Sequence, residues 1–224
     1  MDRSTMNQNR NYGKELENFI SRVRKEGRTP RLLLHSCCAP CSSYVLEYLS
    51  EYFSIALFYY NPNITDKEEY RKRVEEVRRL IASLPVRNPI SFIEGDYEPA
   101  VFTQAVKGLE HEPEGGARCE RCFSLRLDKA AQTAARLAAE CGEEVLFTTT
   151  LTISPLKNAA LLNRIGQEAA GRYDGIAWLG SDFKKRGGYL RSIQLSAQYN
   201  LYRQDYCGCI YSKQERHHIT ASEM

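Results

Sequence analysis

The 224-residue chain contains no apolar run approaching the roughly 20 residues that cross a bilayer, so no membrane span is expected. Its first 17 residues, Met1 to Glu17, are too polar for a secretory signal, and a cytoplasmic location follows as the expectation. There is no internal repeat and no low-complexity linker, so one main domain is expected. Charge of either sign is not in excess. The 31 Lys and Arg against 28 Asp and Glu leave a net +3, compatible with a nucleic-acid partner without requiring one. Glycine is absent from His35-Ser36-Cys37-Cys38-Ala39-Pro40-Cys41, which follows the first apolar run. A phosphate loop at that place needs glycine so that the backbone can approach the ligand, and its absence counts strongly against ATP.

Cysteine, by contrast, is plentiful. Seven of the eight fall in three clusters: Cys37, Cys38 and Cys41; Cys119 and Cys122; Cys207 and Cys209. A reducing cytosol disfavours a disulfide scaffold, which leaves metal or redox chemistry. One zinc ion or one four-iron cluster takes four ligands, so seven thiols exceed either demand. The surplus implies a second metal nearby or a pair reserved for redox exchange. Cys119 and Cys122 form a C-x-x-C at the start of a helical pattern, where the helix dipole favours thiolate. Cys207-Gly208-Cys209 could bridge metals or close a strained, easily reduced disulfide, its glycine permitting a sharp bend. Cys141, before Gly142 at a helix end, reads as ordinary packing.

Apolar periodicity alternates strand and helix. Strands are expected at Arg31–His35, Ser54–Tyr60, Pro89–Glu94, Val145–Thr149 and Ile176–Leu179. Helices are expected over 13–26, 42–50, 66–84, 98–107, 123–140, 155–171 and near 189–199. This is the pattern of an α/β fold, a mostly parallel sheet with helices on both faces, Rossmann-like or HUP-like. Its functional crevice lies at the C-terminal strand ends, where the metal site is expected. Residues 1–30 read as an N-terminal extension with one helix, 31–212 as a single α/β catalytic domain, and 213–224 as a polar, mobile tail.

Ser154 and Pro155 suit the cap and first position of a helix, which would place Lys157 in its first turn, where a lysine hints at a bound anion. The stretch from Asp182 to Arg191 mixes Lys184, Lys185, Arg186 and Arg191 with Phe183 and Tyr189. It suits either a solvated loop or a grip on single-stranded RNA. His35 fits a satisfied core residue better than a ligand.

Taken together, these residues resemble the epoxyqueuosine reductases of the QueH type. The matching segments are His35–Cys41, Phe58-Tyr59-Tyr60-Asn61-Pro62-Asn63, Glu94–Tyr97, Arg118–Cys122, Thr148–Asn158, Ser181–Lys185 and Tyr202–Cys209. They occur in the expected order between about Arg31 and Ser212. The resemblance implies a tRNA-modifying oxidoreductase that removes the epoxide oxygen of epoxyqueuosine at the wobble position of a queuosine-type anticodon. It further implies a [4Fe-4S] cluster, an additional mononuclear iron and an external electron donor.

On that footing Cys37, Cys38, Cys119 and Cys122 are expected to ligate the cluster. Cys207 and Cys209, with Cys41 assisting, would hold the second iron or act as a redox pair. Asp182 and Tyr206 are candidate catalytic groups for proton delivery, together with Asp96, Asp205 and His35. The competing readings are an ATP-dependent enzyme of tRNA-thiolation type and a zinc-stabilised nucleic-acid-binding module.

Overall fold

The structure, a computed structural model, describes residues 10–222. Five strands, β1 (Arg31–His35), β2 (Ser54–Tyr59), β3 (Ile90–Glu94), β4 (Val145–Thr149) and β5 (Ile176–Trp178), form one sheet in the order β3-β2-β1-β4-β5. Every neighbouring pair is parallel. Eight α-helices accompany them among the described residues: α1 (Tyr12–Lys25), α2 (Ala39–Leu49), α3 (Lys67–Ser83), α4 (Pro99–Ala105), α5 (Ala117–Cys141), α6 (Ala159–Ala170), α7 (Gly188–Gln198) and α8 (Ile210–Ser222).

Strand alternation sends successive side chains to opposite faces, and β1 shows this directly. Leu32 and Leu34 pack with Leu16 and Ile20 of α1, Val45 and Leu46 of α2, and Val74 and Val77 of α3. Leu33 packs on the other face with Ala130, Ala131 and Ala134 of α5 and Ala169 of α6. Burying each such leucine contributes about 1.5–3 kcal/mol. Both faces are therefore covered, as the near-continuous apolar strands require.

β1 is flanked by β2 on one side and β4 on the other, so chain direction through the sheet reverses there. Ligands of open α/β sheets bind at such a switch point, beyond the carboxyl ends of the strands. The loops that follow β1 and β4 begin at Ser36 and Thr150, side by side at that point.

Three expectations differ from the structure. The helix expected from 123 begins at Ala117, so that Cys119 and Cys122 lie within it. The helix expected from Pro155 begins only at Ala159. A short 3-10 turn, Thr150–Ile153, intervenes, and Asn158 is the cap, its side chain accepting from the Leu161 amide at 3.1 Å. Lys157 therefore lies in a turn, its amide bonded to the Ser154 carbonyl, and not in a helical first turn. Residues 213–222 of the stretch expected to be a mobile tail belong to α8, and Glu215 pairs with the buried Arg118 at 2.6 Å. The first nine residues of the expected N-terminal extension lie outside the described residues.

Candidate metal centre

Each cysteine cluster sits where a helix begins. Cys38 caps α2, and its sulfur accepts from the Cys41 amide at 3.4 Å. Pro40, in the first turn, costs no hydrogen bond there. Cys119 and Cys122 lie in the first two turns of α5, three residues apart and so on one face. Cys209 precedes α8, its sulfur accepting from the Ser212 amide at 3.3 Å. Unpaired amides and the positive end of the helix dipole favour thiolate at all three places.

The turn at Cys207 is held from below. Gly208 has φ +109, and a Cβ there would stand 2.6 Å from Ile64 Cγ1. The Cys207 carbonyl accepts from Asn63 Nδ2 and Arg73 Nη1, both at 3.2 Å. Arg73 is buried and paired with Glu69 at 2.7 Å.

The sulfurs of Cys37, Cys38 and Cys41 lie within 4.8 Å of one another. Cys37 and Cys38 are 3.8 Å apart, Cys207 and Cys209 3.5 Å. Two thiolates on one tetrahedral ion, with metal–sulfur bonds of about 2.3 Å, stand about 3.8 Å apart, so both pairs have the spacing of shared metal ligands. All of these cysteines are free thiols.

Two adjoining cavities join the clusters. One, of about 310 Å3, is lined by Cys37, Cys38, Cys41 and Cys207. The other, of about 190 Å3, is lined by Cys119, Cys122, Cys207 and Cys209. Glu114, Arg126, Leu156 and Lys157 border both. The fold thus brings all seven clustered thiols to one place, and the donor set fits a thiolate-bound metal group. Cys141 stays apart, at the end of α5, packed against apolar neighbours.

The neighbouring thiols share protons. Hydrogen bonds from Cys38 and Cys41 hold the Cys37 thiol well below the usual range, with the Arg126 cation adding to the effect. The same sharing pushes Cys38 up to about 12 and raises Cys41. A hydrogen bond from Cys209, aided by Lys157, brings Cys207 down to about 6, and Cys209 rises in consequence. Burial pushes Cys122 up to about 11, against Arg126. Burial also opposes the Lys157 charge, but Cys207, Cys37 and Cys41 more than offset it.

Of the proton-delivery candidates, Tyr206 and Asp205 line the larger cavity. Asp182 lines neither. Its Oδ1 is 2.9 Å from Lys184 Nζ, an ion pair without hydrogen-bond alignment. Asp96 also lines neither cavity. His35 is fully buried, with Nε2 donating to the Tyr60 carbonyl at 3.1 Å and Nδ1 accepting from the Thr149 hydroxyl at 2.8 Å. Burial, reinforced by Arg126, drives its pKa down to about 3, so it is a neutral core residue. Arg126 and Lys157 both border the two cavities; the sequence reading had passed over the first and misplaced the second. Arg126 carried a usable signal: Cys119, Cys122 and Arg126 fall at i, i+3 and i+7, one face of a helix.

The sequence profile of the epoxyqueuosine reductase QueH family matches residues 32–215. The epoxyqueuosine reductase QueH of Staphylococcus epidermidis is 42% identical over 210 residues, covering 92% of this chain and 86% of the relative. That of Streptococcus pyogenes is 41% identical over 208 residues, covering 92% and 79%. That of Thermotoga maritima is 37% identical over 193 residues, covering 83% and 91%. With the profile spanning most of the fold and the thiol-bearing segments, the chain belongs to the QueH family of epoxyqueuosine reductases.

Proposed function

We propose that this protein is an epoxyqueuosine reductase that acts on tRNA. The reaction removes the epoxide oxygen of the modified wobble base. Two electrons and two protons enter, both C–O bonds break, a C=C bond forms and the oxygen leaves as water. The observation that carries this reading is the convergence of seven thiols on two adjoining cavities at the switch point of the sheet. Family membership supplies the identity of the substrate.

Cys37, Cys38, Cys119 and Cys122 would hold a [4Fe-4S] cluster, and Cys207 and Cys209, with Cys41, an additional iron. The tight Cys37–Cys38–Cys41 triad favours a second assignment. In it those three bind one centre, and Cys119, Cys122, Cys207 and Cys209 bind the other. Cys209→Ala separates the two: cluster colour survives under the first assignment and, with the four-thiol set holding the four-iron cluster, is lost under the second. When bound, the iron–sulfur group supplies electrons singly and a Lewis acid for the departing oxygen.

The protein's own groups would receive the base and the protons. The larger cavity has the size to admit a modified base beside Tyr189, Tyr206 and Arg203. Tyr206 and Asp205 line it and would deliver protons. At its mouth Leu156 and Tyr189, with Leu190 and Ile193 on the same helix, are exposed apolar groups. Bases flanking the target would stack on this rim, while Lys185 and Arg203 meet phosphates. An external donor would supply the electrons. Among the described residues no helix is long and apolar enough to cross a membrane. We place the enzyme in the cytoplasm, where its tRNA substrate resides.

The test is anaerobic incubation of the purified protein with epoxyqueuosine-containing tRNA and a chemical reductant. Mass spectrometry of the digested RNA should show loss of one oxygen from the modified base. An unchanged base in the presence of a reduced, fully loaded metal centre would rule the reading out.

A further inference from the structure

Three arginines are almost fully buried, and they differ in what compensates them. Arg73 pairs with Glu69 at 2.7 Å, and Arg118 with Glu215 at 2.6 Å. Arg126, 3% exposed, has no carboxylate partner among the described residues. Its Nη2 donates to Asn61 Oδ1, and its Nε has no hydrogen-bond partner. The groups beside it that can become anionic are thiols: its charge acts on Cys122 and on Cys37. It borders both sulfur cavities.

A buried cation without an anion costs several kcal/mol, and a neutral amide oxygen does not cancel its charge. Such a residue is tolerable in a folded protein if the missing anion arrives with a ligand. A metal centre carrying several thiolates is net negative and supplies it. Asn61 fixes the guanidinium in place: its Nδ2 donates to the Ser36 carbonyl at 2.9 Å, which ties the arginine to the end of β1 next to Cys37.

We propose that Arg126 is the built-in counter-charge of the metal–thiolate centre, oriented by Asn61, and that it raises the centre's reduction potential. It is a positioning residue, acting on the reaction through the centre and not on the substrate. The physical reason is charge balance. Reduction adds an electron to an already negative group, and a fixed cation nearby stabilises the reduced form more than the oxidised one. The proposal rests on the metal-centre reading given above, and the experiment separates the two.

The experiment is a redox titration of the anaerobically purified, metal-loaded full chain, followed by its visible and electron paramagnetic resonance signals. The variants are Arg126→Met, Arg126→Lys and Asn61→Asp. Arg126→Met removes the cation, and Asn61→Asp leaves it in place but gives it a carboxylate of nearly the same shape. Both should shift the midpoint potential to more negative values, while Arg126→Lys stays nearer to wild type. Melting temperatures add a second readout. Arg126→Met should destabilise the metal-loaded chain and leave the metal-stripped chain equally or more stable, because the stripped chain loses an uncompensated charge. Wild-type potentials in both Arg126→Met and Asn61→Asp, at full iron content, would overturn the proposal. So would equal destabilisation of the loaded and stripped forms by Arg126→Met, the mark of a purely structural arginine. A wild-type protein without iron or sulfide would instead sink the metal-centre reading itself.

Discussion

Gly208→Ala is the smallest change that should dismantle the centre, because it acts on the turn that places Cys207 and Cys209 and removes no thiol. The φ of +109 at Gly208 lies where a side chain strains the backbone, costing roughly 1–3 kcal/mol. The added Cβ would meet Ile64 Cγ1 at 2.6 Å and Arg73 Nη1 at 3.2 Å. Ile64 is 1% exposed and Arg73 is locked by Glu69, so neither yields freely. Overpacking of this kind costs about 1–3 kcal/mol more. The sum, about 2–6 kcal/mol, corresponds to a melting temperature lower by at least about 4 °C at this chain length. Iron bound per chain should fall with it, because the displaced turn carries both sulfurs. Gly166→Ala is the control: its Cβ would run into the Trp178 ring, and the residue lines neither cavity. That variant should lose stability in differential scanning calorimetry and keep its iron. A Gly208→Ala protein with unchanged melting and full iron content would refute the reasoning.

Cys119→Ala should bleach the visible iron–sulfur absorbance, and a protein that kept full colour would remove Cys119 from the ligand set. Leu190→Asp, on the exposed rim, should weaken binding of an anticodon stem-loop by tenfold or more in fluorescence anisotropy, with iron content unchanged; unaltered affinity would place the RNA elsewhere. Glu76 accepts from Arg79 Nη2 and the Tyr202 amide, both at 2.6 Å, and so ties α3 to the segment leading to Cys207. Burial opposes its charge, but Arg79 and the Tyr202 amide hold the carboxyl below its usual 4.5. A depressed carboxylate stabilises the fold above its unfolded pKa and loses that contribution as pH falls through the folded value. Metal-stripped wild type should therefore lose more stability than Glu76→Gln between about pH 5 and pH 3; parallel melting curves would contradict this.

The sheet was legible because its strands are short apolar runs, each followed by a helical pattern, with an order limited by short parallel crossovers. The place of two clusters was legible for the same reason, since Cys37–Cys41 follows a strand and Cys119 and Cys122 open a helical pattern, whereas Cys207 and Cys209 had no expected element beside them. What escaped depended on competition between local signals. Ser154-Pro155 has the look of a helix start, but Asn158 caps more effectively and leaves Leu156 and Lys157 in a turn at the cavity. The stretch after Ser212 is polar and reads as a tail, yet the Cys209 cap and the Arg118–Glu215 ion pair hold it in a helix that begins at Ile210. The spacing of Arg126 puts it on the cysteine face of its helix, but its burial without a carboxylate partner is a tertiary property that no local pattern carries.

The most direct measurement is a count of iron and acid-labile sulfide in protein purified without oxygen. The account expects about four sulfides and four to five irons per chain. Zinc in place of iron, with no sulfide, would mean that these thiols bind a structural ion and that the proposed reduction has no electron-carrying group in this protein.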